Sequence, residues 1–178
     1  MLMAINCFAG AMLTGCTSGG QVGGGLMTPD DVLRTGHTVY SAAQQVLGAD
    51  GWSLDEQWYS CGLHDGRAEV QLRLDSRLDA ALDDAPEERA TRVREAWSRL
   101  GIHATLTVNS ELQPTRYIVS DPPFLAGANE DGAITEIWVD EGLAYFSYVS
   151  PCVQGDIFKL QPELNSSREA TISPPSSP

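Results

Sequence analysis

No charged side chain occurs before Asp30, and bases are scarce throughout: 11 Lys and Arg stand against 24 Asp and Glu in 178 residues, for a net charge of −13. A surface of that sign repels phosphate backbones and anionic headgroups, so nucleic acid is not an expected partner. Long apolar runs are also missing. The N-terminal stretch MLMAINCFAGAML, residues 1–13, falls short of the roughly 20 residues that span a bilayer. Gly-x-Ser-x-Gly, His-Glu-x-x-His and phosphate-loop patterns do not occur, which removes the main hydrolase, metalloprotease and nucleotide signatures. There is no Cys-x-x-Cys, and distant thiols do not make a zinc site. No cofactor or metal is expected, and nothing points to an enzyme.

What is present begins with an address. A short apolar run suits the h-region of a secretion signal. Directly after it, Leu13-Thr14-Gly15-Cys16 resembles the bacterial lipobox. The resemblance implies diacylglyceryl transfer to the Cys16 thiol and cleavage after Gly15, leaving the mature chain lipid-anchored on the extracytoplasmic face of a membrane. Acyl burial supplies the affinity, at about 0.8 kcal/mol per CH₂. Signals of this kind usually open with Lys or Arg, so the natural start is expected upstream. Cys7 would leave with the signal.

The chain therefore divides into a signal peptide (1–15), a lipidated Cys and Gly-rich tether (16–27), a folded domain (28–160) and a tail (161–178). Five glycines in TSGGQVGGGLM give the tether a reach of roughly 18 Å. The tail, QPELNSSREATISPPSSP, is rich in Ser and Pro and is expected to be disordered. Asn165-Ser166-Ser167 fits a glycosylation acceptor that carries little weight in a bacterial protein. Ordinary hydrophobic and charged fractions, 42% and 20%, are enough for one core in the middle segment.

Two helices are predicted. Thr28-Pro29-Asp30-Asp31 caps the first, Val32, Leu33, Gly36, Val39, Tyr40, Ala43, Val46 and Leu47 repeat at helical spacing, and Gly48 closes it. The second opens at Pro86-Glu87-Glu88, carries Ala90, Val93, Trp97 and Leu100 on one face, and stops at Gly101. Strands are predicted where apolar residues alternate: Val70, Leu72, Leu74, and Ile102, Ala104, Leu106, Val108, with weaker candidates at 52–60, 116–120, 133–140 and 143–150. Asp140-Glu141-Gly142 turns the last two into a hairpin. The expected order is α-β-β-α-β-β-β-β. The expected fold class is α+β, a two-layer sandwich of a mainly antiparallel sheet with both helices on its dry face.

With Cys7 removed and Cys16 lipidated, Cys61 and Cys152 remain, and an even pair in an exported protein reads as a disulfide. The layout is then similar to that of small actinobacterial membrane lipoproteins of the mycobacterial LppA-like type. The residues that carry the likeness are Leu13 to Cys16, Ser60-Cys61-Gly62, Trp97 to Leu100-Gly101, and Tyr148-Val149-Ser150-Pro151-Cys152. It implies a location and a fold, and no biochemical activity.

Candidate chemistry is thin. His37 falls at the edge of the first helix's apolar face, His103 on a polar strand face, and His64-Asp65 in a solvated turn. Asp79, Asp83 and Asp84, and the run Asn129-Glu130-Asp131-Gly132, could hold calcium but serve equally as helix entry and turn. The four tryptophans, at 52, 58, 97 and 138, read as packing residues. The loop 121–132 offers Phe124 and Leu125 on a Pro-stiffened, polar segment, the best candidate for contact with another envelope protein. Three readings result. The first is a non-enzymatic interaction or accessory module, the second a binder of a small ligand or cation between sheet and helices. The third, an unrecognised hydrolase, needs His64 or His103 beside a nucleophile.

Overall fold

The computed structural model describes residues 27–80 and 85–172. The signal peptide, Cys16, residues 16–26 of the tether, Asp83, Asp84 and residues 173–178 lie outside the described residues.

Helix α1 (Pro29–Leu47) begins at a reciprocal cap. Thr28 Oγ1 accepts from Asp31 N at 3.2 Å, and the Asp31 carboxylate accepts from Thr28 N at 3.1 Å. Strands β1 (Trp52–His64) and β2 (Arg67–Leu78) form a long hairpin, closed by Asp65 and Gly66 at φ 50° and 74°, the left-handed pair that an Asp-Gly turn supplies. Helix α2 (Pro86–Arg99) follows. Then come β3 (Thr105–Asn109), β4 (Arg116–Asp121), β5 (Ile134–Val139), β6 (Ala144–Val149) and the short β7 (Val153–Gln154). The expected hairpin at Asp140 is present, with Asp140 N donating to Leu143 O at 2.9 Å.

The strands make one antiparallel sheet in the order β1-β2-β6-β5-β4-β3, with β7 also paired to β2. The fold is α+β, with α1 and α2 on one face. Alternation decides that face: Val70, Leu72, Leu74 and Leu78 from β2, Phe146 and Tyr148 from β6, and Ile137 and Val139 from β5 are buried. They meet Val32, Val39, Tyr40 and Ala43 of α1, and Ala90, Val93 and Trp97 of α2. Trp97 is fully buried and satisfies its indole N–H on Val39 O at 3.2 Å. Gly36 is fixed by close approach, because a Cβ there would lie 2.9 Å from two Tyr148 ring carbons.

The structure corrects four expectations. Leu100 is 45% exposed and is the C-cap of α2, where the chain turns off the helix before Leu100 can reach the core. Residues 102–104 lie before β3, and Val108 is 51% exposed because β3 is the edge strand, which α2 covers only in part. Trp52–His64 is longer than the 52–60 candidate. The largest correction concerns the tail: residues 157–172 form a third helix, α3 (Ile157–Ile172), which packs on β1, so the folded domain runs well beyond residue 160.

Candidate functional site

The groove of interest lies at the β1 edge of the sheet, between α1 and α3. Three pieces build it. In α1, the cap at Thr28 sets the helix phase, and Asp30, Leu33 and His37 follow at spacings of three and four, so they share one side. In β1, Leu54, Glu56 and Trp58 have one parity and face the helix layer, opposite Ser76, Leu74 and Leu72 of β2. At that edge α1 and α2 do not complete the cover.

The third piece is α3. Gly155 lets the chain pass tightly beside β2, since a Cβ there would fall 2.7 Å from Val70 Cγ2. The helix then follows β1 and caps its free edge. Gln161 Oε1 accepts from Trp58 N at 2.8 Å, and Arg168 Nη2 donates to Leu54 O at 3.3 Å. An edge strand with open donors and acceptors invites another chain, and here two side chains of α3 occupy those groups. Leu164 is 6% exposed and Leu160 is partly buried.

The space between these pieces is about 590 Å³, within the range of small-ligand sites. Leu33, Leu54, Trp58, Leu160 and Leu164 give it apolar walls. Glu56 is a buried carboxylate among them, and His37 Nε2 stands 2.7 Å from its Oε1. The contact with Glu56 raises the His37 pKa above its ordinary value, with burial opposing it. Asp30, Glu163 and Arg168 add charge to the lining. Arg168 is already turned to Leu54 O and to Asp55, 3.8 Å away. The Ser167 hydroxyl donates to Glu163 O of its own helix at 3.0 Å. Apolar walls around one buried carboxylate suit the binding of a partly apolar molecule.

Of the residues weighed from the sequence for chemistry or contact, His37 and Trp58 line the groove and the others are placed elsewhere. Phe124 is half-buried: its ring packs edge-on against Trp138 at 5.9 Å, on the sheet face opposite the helices. Trp138 in turn meets Tyr145 at 6.3 Å and lies under the Arg116 guanidinium at 5.3 Å. Leu125 is 87% exposed with φ 68°. Phe124 and Leu125 are thus divided between packing and solvent. His64 is exposed, 3.6 Å from a still more exposed Asp65, and His103 is exposed before β3. Asp79 pairs with Arg77 at 2.7 Å, and Asp131 accepts from Ala133 N at 3.0 Å, closing a turn. Among the described residues no three His, Cys, Asp or Glu converge as for a metal ion.

Cys61 and Cys152 form a disulfide, with Cα atoms 6.3 Å apart across 91 residues of sequence. It straps β1 to the segment after β6 over the back of β2. Gln71 Oε1 sits 3.7 and 3.6 Å from the two sulfurs.

Sequence reasoning missed Glu56, Arg168 and the two leucines of α3, and took His37 for a boundary residue. A signal existed for each. Trp52, Leu54, Glu56 and Trp58 alternate, so Glu56 occupies a position on an apolar face, and a charge placed there is the informative exception. Ile157, Leu160, Leu164 and Arg168 recur at helical spacing.

These features define an α+β domain with a lateral groove. No protein-family model and no curated protein matches the chain. Among solved structures, a DUF4853 family protein from Actinomyces odontolyticus is similar, with a TM-score of 0.47 and 11% identity over 75% of this chain and 72% of that one. A likeness that distant bears on nothing at the groove. No helix of the described residues is long and apolar enough to cross a membrane.

Proposed function

We propose that this is the domain of a lipid-anchored, extracytoplasmic bacterial lipoprotein, and that it works as a binding module for a small, partly apolar ligand. The observation that carries the binding reading is the groove of about 590 Å³ with apolar walls and the His37–Glu56 pair. Small-molecule sites have this make-up: mostly apolar lining with a few placed polar groups that fix orientation. The anchor is supported by Leu13 to Cys16 and the Gly-rich tether that follows. The tether joins α1 at Thr28, next to Asp30 of the groove, so an anchored domain would hold this groove at the membrane-proximal end of its chain.

One experiment tests both halves. Protein extracted from its native membranes is weighed intact, first under native conditions and then denatured. The denatured mass is expected to equal Cys16–Pro178 plus acyl-glyceryl groups. The native mass is expected to carry an extra small molecule that Leu33→Glu, which puts a charge into the apolar wall, abolishes. An unlipidated chain would refute the anchor. A wild-type native mass with nothing added would count against the groove.

A second reading has its own observation. Leu125 is 87% exposed beside a Phe124 that is pinned on Trp138, so the loop holds an apolar side chain out from a rigid base. Another envelope protein could meet the domain there. Leu125→Asp would then weaken co-purification of that protein without disturbing groove binding.

A further inference from the structure

The charges of the groove say which kind of ligand head it would take. Granting that the groove is the ligand site, we propose that it takes a small single-chain amphiphile headed by a primary ammonium, with the chain along the leucines and the head at Glu56.

Glu56 is 5% exposed, and ionised carboxylates are seldom buried without partners. Among the described residues its ion-pair partner is His37, 45% exposed and 2.7 Å from Oε1, and that buried oxygen accepts no well-aligned hydrogen bond. A carboxylate has room for about four donors. A primary ammonium brings three, on a compact charge of the complementary sign.

The surroundings favour the same sign. Three carboxylates line the groove: Asp30 from α1, Glu56 from β1 and Glu163 from α3. Against them stand His37 and Arg168, and Arg168 is engaged with Leu54 O and Asp55. The whole chain carries a net −13. A fatty carboxylate or a phosphate head would enter against that field, whereas an ammonium enters with it. The apolar walls take the chain. A long, purely polar cation would leave Leu33, Leu54 and Trp58 facing water.

His37 makes the assignment readable. An ammonium at Glu56 competes with the imidazolium for one carboxylate, so ligand binding and proton binding at His37 oppose each other reciprocally. The charged groups that share the groove with His37, Asp30 on its own helix, Glu56 on β1, and Glu163 and Arg168 on α3, all belong to the same site. The ligand is therefore expected to bind more tightly as pH rises through the His37 transition, and to lower that transition when bound.

The test uses the whole chain with Cys16→Ser, so that no attached lipid competes, and three probes below their micellar concentrations: decylammonium, decanol and decanoate. Calorimetry is expected to give one site per chain, with decylammonium at least about 10-fold tighter than decanol, the scale of one charge-assisted hydrogen bond, and decanoate weaker than decanol. Glu56→Gln is expected to bring decylammonium down to the decanol level while decanol is unchanged, which also reports that the variant is folded. On the unaltered groove, the His37 imidazole followed by NMR is expected to titrate at lower pH with decylammonium bound. Decanoate binding as tightly as decylammonium would overturn the ammonium assignment and leave the groove standing. Failure of all three probes would overturn the groove itself. Decylammonium binding with many sites per chain, unaffected by Leu33→Glu, would be adsorption to an acidic surface and would also overturn the assignment.

Discussion

Helix α3 is the wall on which the groove depends, and Leu164→Ala tests its docking. Leu164 is 6% exposed, against β1, while its neighbours in the chain face solvent. Buried Leu→Ala substitutions cost about 2–5 kcal/mol, and this one sits beside an open groove into which the site can relax, so the low end, about 2 kcal/mol, applies. Helix propensity cannot produce the loss, because Ala is the better helix former. A 16-residue helix is marginal alone, so weakening its contacts releases the whole element rather than loosening one side chain. The reporter is the Trp58 amide, whose hydrogen goes to Gln161 Oε1 of α3 at 2.8 Å. A docking free energy reduced by about 2 kcal/mol raises the open fraction about 30-fold. Hydrogen exchange read by NMR should therefore speed about 30-fold at Trp58. Amides of β5 and β6, buried under α1 and α2, should exchange at rates set by global unfolding and change far less. Equal acceleration everywhere would mean that α3 unfolds only with the domain. No acceleration at Trp58 would mean that α3 is not held there, and the reasoning would fail.

Three further outcomes are expected. Replacing Cys61 and Cys152 by Ser opens a closure of 91 residues and should lower unfolding stability by about 4–5 kcal/mol in urea melts, and the wild-type mass should rise by two hydrogens on reduction. Gly36→Ala should destabilise by about 1–3 kcal/mol despite the better helix propensity of Ala, because the new methyl meets the Tyr148 ring at 2.9 Å; a stabilised variant would show that α1 does not approach β6 so closely. The raised pKa of His37 should make stability depend on pH. A proton held more tightly in the folded state contributes fully below the unfolded value of about 6.5, and the contribution is lost as pH rises through the folded value. Urea midpoints measured across that window should decline in the wild type and stay flatter in His37→Gln.

How much of this was legible differs between the core and the site. The core was readable because one physical demand dominates it. Val70, Leu72 and Leu74 alternate, and Val32, Val39, Tyr40 and Ala43 recur at helical spacing, because each must leave water on one side only. Turn chemistry located the hairpin at Asp140 for the same local reason. Leu100 and Val108 escaped because exposure there is set by where α2 ends and by which strand lies at the edge, and neither is a property of the local pattern. The disulfide was readable from counting alone, once an exported chain was assumed.

The groove was not readable, and α3 shows why. Pro162 lies inside the helix, removes a donor to the carbonyl four residues back, and stands in a stretch rich in Ser and Pro. Local propensity therefore favours an irregular tail. What overrides it is a supply of partners that exists only after β1 has become an edge strand: the Trp58 N–H, the Leu54 carbonyl, and the apolar flank that receives Leu164. Glu56 belongs to the same logic. As an isolated residue it is one acid among 24, but on the buried parity of an edge strand it needs a polar partner, and His37 on α1 stands within reach at 2.7 Å. A pattern that breaks its own period is thus more informative than one that keeps it. In this chain the break at Glu56 marks the place where sheet edge, first helix and last helix enclose a space with a charge in it.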